Sequence, residues 1–91
     1  MESQTLPLRR TDVLKQEVSG TLVLLDPDSG QYFALDEVGA RIWDLCDGDR
    51  TFASIADLIG AEYDAPAAEI RADVSRLLGE LAGERLLVLR A

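Results

Sequence analysis

Apolar and polar positions change period once along the chain. From Val13 to Val18 apolar residues alternate weakly with polar ones, and Thr21 to Leu25 is a run of β-branched residues and leucines. Both are strand spacings, and the second fits a strand central in its sheet. Ser19-Gly20 between them is a tight-turn pair. Asp26-Pro27-Asp28-Ser29-Gly30 is the strongest turn signal in the sequence. Its proline presets φ, and its glycine accepts a positive φ. Gln31 to Leu35 then returns as a third strand. The first half therefore predicts an antiparallel meander.

After Asp36 the period becomes helical. Asp36 is a plausible N-cap, and the helix it starts runs to about Cys46. Val38, Ile42, Leu45 and Cys46 share one face, with Trp43 at its edge. Gly48 suits a left-handed stop. Thr51 caps a second helix over about Phe52 to Glu62, with Ile55, Leu58 and Ile59 as its stripe. Pro66 fits the first turn of a third. There Ile70, Val74, Leu77, Leu78 and Leu81 recur at i, i+4, i+7, i+8 and i+11, the clearest helical period in the chain. Gly83 is a natural stop. Leu86 to Leu89, LLVL, is either a last strand or an apolar tail that packs. Residues 1–12 read as a flexible N-terminal segment with Pro7 against regular structure, and residues 13–91 as one domain. Three strands and then three helices give an α+β class, with the helices covering one face of the sheet.

Size and charge narrow the functions. The chain has 91 residues, a formal net charge of −8 and 47% hydrophobic residues. Surface scaling for such a chain gives roughly 5,200 Å² folded against roughly 14,000 Å² extended, enough for one small core. Seventeen acidic residues against nine basic ones disfavour nucleic acid and anionic membrane, and favour a basic or neutral polypeptide as partner. No stretch is long and apolar enough for a membrane span, and no signal peptide is visible. With a single cysteine, these features predict a cytoplasmic location.

Catalytic chemistry finds little to work with. There is no histidine, hence neither the commonest general base nor the commonest metal ligand. No glycine-rich phosphate loop is present. Asp44, Asp47 and Asp49 cluster, but the EF-hand spacing fails, since Leu58 falls where a bidentate glutamate would stand. They read as a solvated loop with capping roles. Cys46 reads as a small core residue, and Trp43 as a packing anchor. No cofactor, metal or enzymatic activity is expected.

What remains is the sheet. In a simple meander the third strand is an edge, and Gln31 to Leu35 carries neither the proline nor the charge that commonly blunts one. An extended peptide added there takes affinity from main-chain hydrogen bonds and specificity from pockets for alternate side chains. The third helix is the expected opposite wall. With Ile70, Val74, Leu77 and Leu81 facing the core, Arg71, Ser75 and Leu78 fall on its shoulder, Arg71 to meet an acidic residue and Leu78 to line a pocket. The residues alone leave a second reading open, a short edge protected by helix packing or by dimerisation.

An ordered series of short motifs resembles the PqqD-like proteins. These are an Asp-Pro-x-x-Gly turn, Tyr-Phe-x-Leu, Asp-Glu-Val-Gly-x-x-Ile-Trp, Gly-Asp-x-Thr, Glu-Tyr-Asp, and a last helix opening Ile-Arg-x-Asp-Val. They span about Val13 to Leu87. The resemblance implies a winged-helix-like fold with a three-stranded antiparallel sheet followed by three helices. It implies a recognition element for ribosomally made, modified peptides, acting as a peptide chaperone. Such an element binds a precursor's leader peptide between the third strand and the third helix. It then presents the precursor to a leader peptidase, a cyclase or a radical-SAM enzyme, as in pyrroloquinoline quinone, lasso-peptide and related pathways. By position the contacts fall on Gln31, Tyr32, Phe33, Ala34 and Leu35, and on Arg71, Val74, Ser75 and Leu78. The competing expectations are a winged-helix DNA-binding protein, and a structural subunit that self-associates through its edge strand.

Overall fold

The computed structural model describes residues 1–91. In chain order the elements are β1 (Leu6–Arg9), β2 (Leu14–Val18), β3 (Thr21–Leu25), β4 (Tyr32–Leu35), α1 (Glu37–Leu45), α2 (Phe52–Glu62), α3 (Ala67–Gly83) and β5 (Leu87–Arg90). The strands β2, β3 and β4 form the expected antiparallel meander. The β2–β3 hairpin turns on Ser19 and Gly20, both at positive φ (51° and 82°), which matches the right-handed twist of the flanking strands.

The three helices form as their end signals predict. The Asp36 carboxylate accepts from Gly39 N at 2.8 Å and Thr51 Oγ1 accepts from Ser54 N at 3.1 Å, each satisfying an amide that has no partner within the helix. Pro66 stands at the N-cap of α3. The helices cover the inner face of the sheet. Leu24, Leu35, Ile42, Trp43, Phe52, Ile55, Ile59, Val74, Leu78 and Leu81 join in one buried cluster. Trp43 is an anchor of that core, and Cys46 is a small member of it.

The N-terminus departs from the expected loose segment. Leu6–Arg9 pairs antiparallel with Leu87–Arg90, so LLVL contributes to a strand and a second, two-stranded sheet closes the two ends of the chain together. Pro7 is tolerated because the far side of β1 carries only a short bridge to the loop after α1. On that side Arg9 N donates to the Cys46 carbonyl at 2.9 Å, and the Pro7 carbonyl accepts from Gly48 N at 2.9 Å. The missing amide proton of proline is therefore not taken from the β1–β5 ladder. Gly48 has φ +83°, and an added Cβ would lie 2.8 Å from Arg90 Nη2, so the loop requires glycine there. Arg9 Nη1 donates to the Asp44 carbonyl at 2.9 Å, a cation at the C-terminal end of α1.

Several carboxylates are tied down. The Asp28 amide, and after it Arg10, hold Asp26 below its ordinary 3.8; Arg10 lowers Asp12 in the same direction, and Arg41 lowers Glu62. The amides of Asp49 and Arg50 lower Asp47. A carboxyl with a depressed folded-state pKa contributes stability that is complete above its unfolded value and is lost as pH falls through the folded value. The melting midpoint should therefore hold near neutrality and fall steadily below about pH 4. Calorimetry at fixed ionic strength checks this, and a midpoint indifferent to acid would contradict it.

Candidate functional site

The strand order β2-β3-β4 leaves β4 at an edge, and β5 is committed to β1 elsewhere. Which β4 groups face outward follows from the ladder. Asp26 N donates to the Gln31 carbonyl at 3.0 Å. Antiparallel pairs alternate between bonded and non-bonded, so Leu24–Phe33 and Leu22–Leu35 are the bonded pairs that follow. The backbone N–H and C=O of Tyr32 and Ala34 then point away from β3, toward the open edge. Side chains alternate the other way. Phe33 and Leu35 turn toward the core, while Tyr32 and Ala34 are exposed on the outer face, Tyr32 at 70%.

A cleft of about 440 Å³ opens beside this edge, lined by Ala34 and Leu35 on one side and by Ile70, Asp73, Leu77 and Glu80 of α3 on the other. Val38, Ile42 and Tyr63 form its floor and end. At the other end of β4, Gln31 shares a polar hollow of about 380 Å³ with Gly83, Glu84 and Arg85. The start of β4 thus lies by the end of α3, and the end of β4 lies by its middle. Strand edge and helix run antiparallel as two walls of one groove.

The structure brings together only part of the expected residue set. Gln31, Tyr32, Phe33, Ala34 and Leu35 all lie on or beside the open edge. Of the four α3 residues, Val74 faces the core as its spacing predicts, and none lines the cleft beside β4. Val74 and Leu78 are core residues, 1% and 0% exposed, and line no groove. Arg71 and Ser75 face the opposite shoulder. Arg71 Nη2 donates to Ser3 Oγ at 3.1 Å and its guanidinium lies 5.0 Å over the Phe52 ring, while Ser75 borders Met1, Glu2 and Thr5. The reason is which flank of the helix meets the sheet edge. Ile70, Val74 and Leu81 are core in both settings, with Leu77 or with Leu78 beside them, so at 3.6 residues per turn the stripe hardly moves. Arg71, Ser75 and Leu78 lie on one flank of it and Asp73, Leu77 and Glu80 on the other. The core stripe is Ile70, Val74, Leu78 and Leu81, which puts Leu77, Asp73, Glu80 and Arg76 toward β4. With two adjacent leucines in the pattern, hydrophobic spacing gives no signal that separates these two settings.

The remaining sequence candidates have structural roles. Burial raises the Cys46 thiol to about 12, and its Sγ bonds the Ile42 carbonyl, so the thiolate needed for nucleophilic chemistry is suppressed. Asp47 accepts from the amides of Asp49 and Arg50 and pairs with Arg50 at 2.6 Å, closing the loop turn itself, while the cap of α2 falls to Thr51. No group of three or more potential ligands is placed to hold a metal, and no helix is long and apolar enough to cross a membrane.

Comparison with known proteins places this geometry. The family model for coenzyme PQQ synthesis protein D (PqqD) matches residues 21–87. A PqqA binding protein of Rhodopseudomonas palustris (strain HaA2) is 34% identical over 86 residues, covering 94% of this chain and 82% of that protein. Among solved structures, TbiB1 in complex with the TbiA(beta) leader peptide superposes with a TM-score of 0.77 at 34% identity, over 88% of this chain and 93% of that one. The PqqD truncation of Methylobacterium extorquens PqqCD, described as a stand-alone recognition element for ribosomally synthesised, modified peptides, gives a TM-score of 0.73 at 33% identity, over 90% and 87%. The meander beneath three helices and the ordered motifs of the sequence thus agree with the family match, and the chain belongs to the PqqD family.

Proposed function

We propose that this protein binds the leader segment of a ribosomally made precursor peptide as an added strand on β4 and presents it to the enzymes that modify or cleave it. The observation that carries the reading is the vacant β4 edge. Tyr32 and Ala34 offer outward main-chain donors and acceptors there, beside an apolar cleft walled by Leu77. The relatives support it, since one is a PqqA binding protein and TbiB1 is solved with a leader peptide. On this reading the peptide-binding residues are Gln31 to Leu35 on the strand, with Ile70, Asp73, Leu77 and Glu80 replacing the α3 set expected from sequence. The role is non-catalytic, the site is cytoplasmic, and the partner enzymes are those that act on the same precursor.

The DNA-binding alternative has little to stand on. Arg76 pairs with Asp73 at 3.5 Å, and Arg71 is held by Ser3 and Phe52, so α3 offers no free basic face.

Calorimetric titration with the TbiA(beta) leader and with PqqA tests the proposal. We expect affinity of roughly −8 to −11 kcal/mol for a matched leader, with new amide protection at Tyr32 and Ala34. Arg71→Glu should leave that affinity within about twofold, because its side chain faces away from the cleft. Protection appearing on another surface while β4 stays unchanged would reject the proposed edge.

A further inference from the structure

Arg10 stands where three parts of the chain meet. Its Nε and Nη2 donate to the two carboxylate oxygens of Asp12 at 3.0 and 2.8 Å. Nη2 also reaches Asp28 Oδ2 at 3.1 Å, and Nη1 lies 3.2 Å from Asp26 Oδ2. Nη1 donates to the Arg85 carbonyl at 3.2 Å, and the Arg10 backbone N–H donates to the Leu86 carbonyl at 3.0 Å. The side chain is only 22% exposed.

These partners are not scattered. Asp26 and Asp28 belong to the turn that launches β4, and Arg85 and Leu86 belong to the turn that follows α3. The two turns are the adjoining ends of the two groove walls, and both line the polar hollow beside Gln31. No other side-chain hydrogen bond or ion pair joins them.

We propose that Arg10 is a positioning residue for the peptide groove, fixing the distance between the start of the β4 edge and the end of α3. This rests on the peptide-binding reading above and deepens it. A guest strand must lie about 4.8 Å from β4 to pair with it while its side chains reach the helix. Main-chain hydrogen bonds tolerate only a few tenths of an ångström. A groove held at that width binds without first having to order its walls. A lysine cannot replace this strut. It carries the charge but lacks the planar fork that reaches carboxylates and a carbonyl from separate segments at once.

The test compares Arg10→Gln and Arg10→Lys with Arg41→Gln. Arg41 forms a similar forked pair with Glu62, between α1 and α2, and neither residue lines the cleft. Amide exchange is read first, without peptide. Both Arg10 variants should lose protection at Asp26, Gly30 and Leu86 while α1 and α2 keep theirs, and Arg41→Gln should not. Titration with the TbiA(beta) leader and with PqqA is read second. Both Arg10 variants should bind about tenfold more weakly, and Arg41→Gln within about twofold of the parent. Unchanged exchange at the two turns overturns the proposal, and so do equal affinity losses in the Arg10 and Arg41 variants. If the parent chain binds neither peptide, the peptide-binding reading fails, and the exchange data still decide whether Arg10 joins the two walls.

Discussion

Proline at Ala34 should cost the protein its peptide while leaving its fold in place. The Ala34 N–H points away from β3, so the substitution removes no bond from the existing ladder. Proline is tolerated at an edge position of that kind, and the preceding Phe33 is already extended. The guest strand would lose a donor and meet the pyrrolidine ring in its place. One lost main-chain bond with an unpaired partner amounts to about 1–3 kcal/mol, or roughly tenfold to a hundredfold in affinity. The melting midpoint should move by only a few degrees. Phe33→Pro is the instructive contrast. Its N–H points into the sheet, so there the loss falls on the fold first. Parent-like affinity in Ala34→Pro would mean that no guest strand pairs with β4.

The neighbouring leucines of α3 should respond in opposite ways. Leu78 is fully buried, and Leu78→Ala should destabilise the protein by about 2–5 kcal/mol through lost contacts and a residual cavity. In a chain this short that lowers the melting midpoint by roughly 10 °C or more. Leu77 is only partly buried and lines the cleft. Leu77→Asp should cost the fold far less, but it places a carboxylate where an apolar guest side chain must desolvate. We expect about a hundredfold loss of leader affinity. Thermal melts and titrations on the two variants separate these effects. Leader affinity that survives Leu77→Asp would move the second wall of the groove away from α3.

Much of this molecule is legible locally. The Ser19-Gly20 turn, the Asp26–Gly30 turn and the caps at Asp36 and Thr51 are decided by residues within a few positions of one another, and they form as read. The alternation that turns Phe33 and Leu35 inward and exposes Tyr32 is equally local. The edge itself was readable because a meander of three strands has to have one.

Two other features were not local. Leu6–Arg9 is too short, and carries a proline, to declare itself a strand, and it becomes one only because β5 returns some eighty residues later to pair with it. The setting of α3 is of the same kind. Its sequence fixes an apolar stripe about two leucines wide, and hydrophobic burial is content with either leucine at the centre. Packing against α2 and the core selects Leu78 and decides which flank of the stripe meets β4, so that Arg71 faces the N-terminal segment and Leu77 the peptide cleft. Sequence by itself determined the three-stranded meander, the three helices and the open edge, since those depend on near neighbours. Only the tertiary structure decided what stands opposite that edge, because the facing wall is set by contacts between segments far apart in the chain.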